Sequence, residues 1–235
     1  MLRAFGATPS GIEQYLDSAR TTVDAVTRLA RLAGADIDAG RWLEIGAGYG
    51  RLLRVLAERV PSEQLTAIEL DPSAVRFCQN ELGVATLRSN AAFEVITGST
   101  FDVVFAISVI THVDWEGSQR FLRLGCRSLA PGGAFVFSTH GRRALDELEE
   151  NNPTSFGGVR ADIEAAWAGP GFSYSPYRST RGDYGMTWHR PDVIATLVSE
   201  ADPDVEIVAH EPSGLLDYQD LWVLRRPARR RGTGR

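Results

Sequence analysis

Residues 42–51 read WLEIGAGYGR: an apolar run, three glycines at alternate positions, and an arginine that opens an amphipathic stretch. Glycine belongs where a chain takes positive φ or lets a ligand approach the backbone, so Gly46, Gly48 and Gly50 predict a tight, open turn. Leu52, Leu53, Val55 and Leu56 then supply the apolar stripe of a helix. A dinucleotide loop of the form G-x-G-x-x-G would need its third glycine at position 51, where this chain has Arg51. The register is wrong for NAD, and what remains is a strand, loop and helix with an acid, Glu44, on the strand itself.

Working outward, Ser10 and Glu13 have capping-box spacing and Ile12, Tyr15, Leu16, Val23, Val26 and Leu29 follow at helical intervals, predicting a helix over 11–33. The first strand is 42–46 and the first core helix 50–59, stopped by Pro61. LTAIEL (65–70) is a second strand, after which Asp71 caps and Pro72 starts a helix that runs to Gly83. VATLR (84–88) is a third strand, and FDVVFAIS (101–108) is an apolar run of the kind buried on both faces of a parallel sheet. Asp114 starts the next helix, PGG (131–133) turns the chain, and AFVFST (134–139) is the fifth strand. A helix begins near Pro191, and VEIVAHE (205–211) and QDLWVLRR (219–226) are strands whose short connection makes them antiparallel. Strands alternating with helices imply right-handed βαβ crossovers, so the expected fold is α/β, Rossmann-like and doubly wound: a mostly parallel seven-stranded sheet ending in an antiparallel hairpin.

The 235 residues suit one α/β domain with an elaborated loop. The expected organisation is a single domain over 1–226, in which 1–40 is an N-terminal helical cap and 141–189 an insertion that lids the substrate, followed by a disordered basic tail, 227–235. No apolar run reaches the ~20 residues a membrane helix needs, and MLRAFGATPS lacks the apolar region of a signal peptide, which predicts a cytoplasmic protein. Cys78 and Cys126 lack C-x-x-C spacing and read as buried thiols on helices. A net charge of −5 argues against a general nucleic-acid binder.

The segment Glu44 to Gly50, E-x-G-x-G-x-G, together with the parallel sheet and closing hairpin, resembles motif I and the fold of the class I S-adenosylmethionine-dependent methyltransferases. The resemblance implies S-adenosylmethionine as cofactor, held by Glu44, Gly46, Ala47, Gly48, Gly50 and Arg51 at the loop. It also implies Glu69, with Leu70, at the ribose; Asn90, with Ala91, at the adenine; and Ser108 and Ile110 along the methionine and adenine side. Glu69 lies 19 residues after Gly50 (69 − 50), at the end of the second strand, where a carboxylate can accept ribose hydroxyls. The family commonly has an acid where this chain offers Ser89 and Asn90. Open loop amides and a helix N-terminus are expected to receive the cofactor's carboxylate.

Methyl transfer is an in-line displacement in which the protein mainly aligns the acceptor, and a hydroxyl acceptor gains typically 10²–10⁴-fold from a base. Ligands in open α/β sheets lie at the carboxyl ends of the strands, and three histidines fall there: His140 and His112, ranked first, and His189. His210, in the hairpin, reads as structural, and Asp183, Tyr184, Gln219 and Asp220 as framework more than base. Phe156, Trp167, Phe172, Tyr174, Tyr177, Tyr184 and Trp188 in the insertion suit a cover over an acceptor, with Arg178 and Arg181 able to hold a phosphate. The ITHVD, STHG, DYGMTWHRP and YQDLWVLRR segments resemble a bacterial group acting on glycans and secondary metabolites, which implies a small-molecule acceptor, a hydroxyl on a sugar or glycosylated metabolite. The alternatives are a nitrogen or protein side-chain acceptor, and a non-catalytic cofactor-binding module. The fourth strand ends in AIS instead of an acid, and NNPT (151–154) lies after the fifth strand, so neither the metal-dependent catechol pattern nor the N-P-P-Y pattern applies, and no metal is expected. A monomer or homodimer is expected.

Overall fold

The computed structural model describes residues 8–148, 160–178 and 184–228. Phe156, Arg181 and Asp183, and the basic tail from 229 onward, lie outside the described residues.

Seven strands form the main sheet: β1 (Trp42–Ile45), β2 (Leu65–Glu69), β3 (Ala85–Arg88), β4 (Phe101–Ala106), β5 (Leu129–Thr139), β8 (Glu206–Leu215) and β9 (Gln219–Arg225), in the order β3-β2-β1-β4-β5-β9-β8. The first five are parallel, β9 is antiparallel to β5, and β8 is antiparallel to β9. The doubly wound sheet and its terminal hairpin are as the sequence predicts. Strand β4 shows why its apolar run is continuous: Val103 and Phe105 enter the core on one face of the sheet, Val104 and Ala106 the core on the other. Each such fully buried side chain contributes about 1.5–3 kcal/mol, which fixes the strand at the sheet's centre.

One face carries α1 (Pro9–Leu32), α2 (Arg51–Leu56) and Cys78 of α3 (Pro72–Leu82). The other carries α4 (Trp115–Arg127) and α7 (Pro191–Ala201). Both cysteines are free and buried, on the helices expected. Among the described residues no helix is long and apolar enough to cross a membrane.

Three local expectations change. The cap of α1 is Thr8, whose hydroxyl accepts from Gly11 N at 3.1 Å, not Ser10, because Pro9, with φ preset and no N–H to satisfy, takes the first helical position. Helix α2 ends at Leu56, short of 59. Residues 131–133 lie inside β5, where the register between Phe101↔Leu129 and Val103↔Ala134 shifts, so PGG makes an irregularity within a strand instead of a turn before it.

The segment between β5 and α7 holds α5 (Arg142–Asp146), α6 (Arg160–Ala168) and a two-stranded antiparallel ribbon, β6 (Phe172–Pro176) with β7 (Gly185–His189). A third cluster of Ala144, Leu145, Ile163 and Trp188 packs this segment. The sequence reading misses the ribbon: both strands are only five residues long, and although Phe172 to Ser175 alternate aromatic with serine, that run stops at Pro176 and its partner GMTWH shows no alternation.

Candidate functional site

The site forms at the carboxyl edge of the parallel strands. Gly46, Gly48 and Gly50 all have positive φ, as the loop reading requires. Gly46 is also confined by packing: a Cβ there would lie 2.5 Å from Val109 Cγ2, so any other residue would push the loop off the end of β4.

Four of the loop's amides, those of Gly46, Ala47, Gly48 and Gly50, are engaged within the protein, where the sequence suggests an open loop. Gly46 N and Ala47 N donate to Ile68 O at 2.8 and 3.3 Å, Gly48 N to Glu69 Oε2 at 2.6 Å, and Gly50 N to Ala47 O at 2.9 Å. The first three tie the loop to β2, and the last closes the loop on itself. The unmet group is instead Glu44: its side chain is 4% exposed, and Oε2 is buried with no hydrogen-bond partner. Burial pushes its carboxyl up to about 8, with Arg51 opposing and Glu69 reinforcing the rise. Arg51 is anchored from α1, donating to Ser18 Oγ at 3.0 Å and standing 5.6 Å from the Tyr15 ring. A buried carboxyl with an empty acceptor atom, two residues before Gly46 on the strand that enters the glycine loop, fits a ligand that brings a cation.

Glu69 is fixed by three backbone donors, Gly48 N on Oε2 and Leu70 N and Asp71 N on Oε1 at 2.7 and 2.8 Å. A carboxylate has about four acceptor positions, so one remains open on Oε2. Leu70 is half exposed beside it. Asn90 is spent locally: Oδ1 accepts from Ala92 N and Glu94 N at 3.0 and 3.1 Å, and Nδ2 donates to Glu94 Oε2 at 2.9 Å, so its side chain caps a turn. Ala91 follows it on the exposed surface. Ile110 is fully buried in the core, where its side chain packs among apolar residues. Ser108 sits at φ 58°, a left-handed conformation rare for serine, held by its N–H to Ser138 Oγ at 2.8 Å and by Gln219 at its hydroxyl.

The three histidines meet around β7 in different states. His112, half buried, has Nδ1 at 2.9 Å from Gly185 O and 3.1 Å from Tyr177 Oη, with its ring stacked on Tyr184 at 4.8 Å. A carbonyl only accepts, so Nδ1 carries the proton and Nε2 the lone pair; among the described residues Nε2 has no partner. Burial lowers its proton affinity below the ordinary value, and the Gly185 carbonyl partly opposes this. His140 is 2% exposed, with Nδ1 3.1 Å from Thr187 O and Nε2 3.3 Å from Gln219 Nε2; burial, then His112, holds it down to about 3. His189 is 1% exposed. Ser118 gives its hydroxyl proton to Asp114 O at 2.9 Å and therefore accepts from His189 Nε2 at 3.1 Å, leaving Nδ1 buried and unpartnered. Burial, then His140, pushes His189 down to about 3, and its enclosure between α4 and β6 suits packing, not proton transfer to a ligand. His210 is tied to Asp220 at 2.8 Å and stacked on Trp222 at 3.9 Å, within the hairpin.

Tyr184 reaches both halves of the site, stacking on His112 and feeling the charge of Glu69. Tyr177, which the sequence marks only as one ring among several, is the side chain that touches His112 Nδ1. Arg178 is exposed.

Residues 18–182 match a family profile described as a methyltransferase domain. The chain is 30% identical over 124 residues to a malonyl-[acyl-carrier protein] O-methyltransferase of Haemophilus ducreyi, covering 50% of this chain and 47% of that protein, so it spans about half the length of this curated relative. Among solved structures, the CcbJ methyltransferase from Streptomyces caelestis superposes with a TM-score of 0.61 at 17% identity, covering 89% of this chain and 90% of that one. The glycopeptide N-methyltransferase MtfA complexed with S-adenosylmethionine superposes with a TM-score of 0.56 at 17% identity, covering 81% and 82%.

Proposed function

The chain belongs to that methyltransferase-domain family, of the class I S-adenosylmethionine-dependent kind, and from this premise we propose that it methylates a hydroxyl oxygen of a small molecule with His112 as general base. The observation that carries the choice of base is the Gly185 carbonyl on Nδ1, which leaves the Nε2 lone pair free at the sheet edge. As the acceptor oxygen reacts, Nε2 takes its proton while Nδ1–H keeps Gly185 O, so the charge that develops on the ring meets an acceptor already in place.

Bound at the edge, S-adenosylmethionine supplies a methyl group activated by its sulfonium. Glu44 Oε2 would receive the ammonium, and the open position on Glu69 Oε2 a ribose hydroxyl. Gly46, Ala47, Gly48, Gly50 and Arg51 would shape the loop, and Leu70 and Ser108 would flank the ligand. Ala91 and the spent side chain of Asn90 argue for an adenine contact made through backbone and shape. His140 and His189 join the framework that holds β7. Residues 1–226 form one catalytic unit in this reading, with 1–40 closing the cofactor side through the Arg51–Ser18 bond and 141–189 covering the acceptor with Tyr177 and Tyr184. Such rings suit the apolar face of a sugar or aromatic acceptor.

Calorimetry with S-adenosylmethionine, S-adenosylhomocysteine and NAD, followed by transfer of labelled methyl to paired glycosides, phenols and amines, tests the reading. Binding of the first two and labelling of hydroxyls is expected. Binding of NAD alone would refute the cofactor, and labelling confined to amines would refute the oxygen acceptor.

A further inference from the structure

Gln219 stands where four elements meet: the end of β4 through Ser108, the end of β5 through His140, the hairpin that carries it, and, beyond His140, the ribbon strand β7 through Thr187. It is 9% exposed. The direction of every hydrogen bond in this chain follows from its last member. Thr187 O can only accept, so His140 Nδ1 is the donor and His140 Nε2 bears the lone pair. That lone pair faces the Gln219 side-chain nitrogen at 3.3 Å, which must therefore donate to it. The same amide spans Ser108 Oγ, with Nε2 at 3.0 Å and Oε1 at 3.1 Å, and so helps to hold Ser108 in its left-handed conformation.

We propose that Gln219 is a positioning residue of this site: its amide occupies the His140 lone pair and keeps that ring neutral, which reserves proton acceptance for His112, 6.2 Å away ring to ring. The proposal rests on the reading of His112 as the base. Two adjacent imidazoles at one edge would otherwise compete for the acceptor's proton, and a cation on the inner ring would oppose one on the outer. A donor on a lone pair stabilises the neutral form of a base, and burial works in the same direction. The groups facing His140 are His112, which opposes its protonation, and Asp220 and the Thr187 carbonyl, which favour it, with the Tyr218 and Trp188 rings 5.6 and 6.0 Å away. Asp220 also binds His210 Nε2 and Ser213 N, at 2.8 and 2.9 Å, and its pull on His140 is the smallest of these influences.

The test is nitrogen-15 spectroscopy of the four histidines in the full-length chain, with His140 assigned through His140→Asn, and no acceptor is needed. The wild type is expected to show His140 protonated at Nδ1 alone from pH 8 down to pH 5, with Nε2 at the position of a hydrogen-bonded acceptor. In Gln219→Met the Nε2 signal should move to the position of an unbonded acceptor. A wild-type His140 protonated at Nε2, or titrating within that range, would overturn the proposal, as would an Nε2 signal unmoved in a Gln219→Met protein whose circular dichroism matches wild type. The wild-type spectrum decides by itself if the variant does not fold. Calorimetry with S-adenosylmethionine on the same wild-type sample separates the two ideas: lost binding would strike the methyltransferase reading and leave the His140 result standing.

Discussion

At the scale of single residues, the proposed roles of His112 and Glu44 both yield pH effects of definite sign. As a general base His112 would act only while Nε2 is unprotonated, and burial holds its proton affinity below the ordinary value of 6.5. The rate should therefore stay level through neutral pH and fall only as pH drops below that value. His112→Asn should lower kcat by about 10²–10⁴-fold with S-adenosylmethionine affinity unchanged, read from steady-state kinetics and calorimetry. Glu44 behaves oppositely. Its carboxyl is raised from 4.5 to about 8 in the folded chain, so between those values the empty folded state holds a proton that the unfolded chain has lost. Stability from this group is thus present at low pH and is lost as pH rises through about 8. An incoming ammonium reverses the balance, so binding S-adenosylmethionine at pH 7 should release about one proton, seen as a dependence of the binding heat on the buffer's ionisation heat. Glu44→Gln should abolish the release, weaken binding at least ~10-fold, and melt increasingly above wild type as pH climbs from 4.5 to about 8, with the difference level beyond. The sequence shows Glu44 and the histidines but not their states. Which nitrogen carries a proton depends on Gly185 and Thr187, distant in the chain, whose backbone carbonyls leave no mark in composition.

At the scale of elements, the ribbon strand β7 does the positioning. Its carbonyls at Gly185 and Thr187 receive the two inner ring N–H groups, His189 N donates to His140 O at 3.1 Å, and Thr187 Oγ1 donates to Val113 O at 2.5 Å. The insertion is therefore stitched to the carboxyl edge of the sheet along this strand, which fixes the orientation of His112 and His140. Thr187→Val keeps the shape of a fully buried side chain and removes one of these stitches. It should cost about 1–3 kcal/mol in denaturant unfolding, the range for a buried acceptor left unpaired. Because the change loosens β7 and not the glycine loop, kcat should fall more than cofactor affinity. Equal losses in both would show that β7 does not act selectively on the acceptor side. The strands of the main sheet are readable because central burial demands continuous apolar runs, as in FDVVFAIS. The ribbon is not, since it lies over the edge and buries its residues against the site's own rings.

At the scale of the molecule, two apolar cores hold the sheet from either face, and the proposed ligand site is the edge where the order β2-β1-β4 places the glycine loop between Glu69 and Ser108. A ligand that binds only this folded edge should stabilise the whole chain. At about 100 times Kd, S-adenosylhomocysteine should add ~2.7 kcal/mol, or a melting rise on the order of 5–10 °C, while NAD at equal concentration should add nothing measurable. Scanning calorimetry checks this, and equal shifts from both ligands would contradict a site selective for the methyl donor.

The sequence by itself determined the sheet and its closing hairpin, which follow from local physics: apolar periodicity and a short connection between strands. The cofactor class, with Glu44 and Glu69 as its candidate holders, comes from the resemblance that the glycine loop carries, and His140 and His112 stand level there as candidate bases. Only the tertiary structure decided that the loop amides of Gly46, Ala47 and Gly48 are tied to β2, that Asn90 caps a turn, that His189 is enclosed, and that His112 and His140 share one edge in different states. Asn90 meets its partners Ala92 and Glu94 close by in the chain, in a turn that its spacing alone does not announce. The others depend on partners far apart in the chain, and a lone pair is free or occupied only once the fold has brought its partner within about 3 Å.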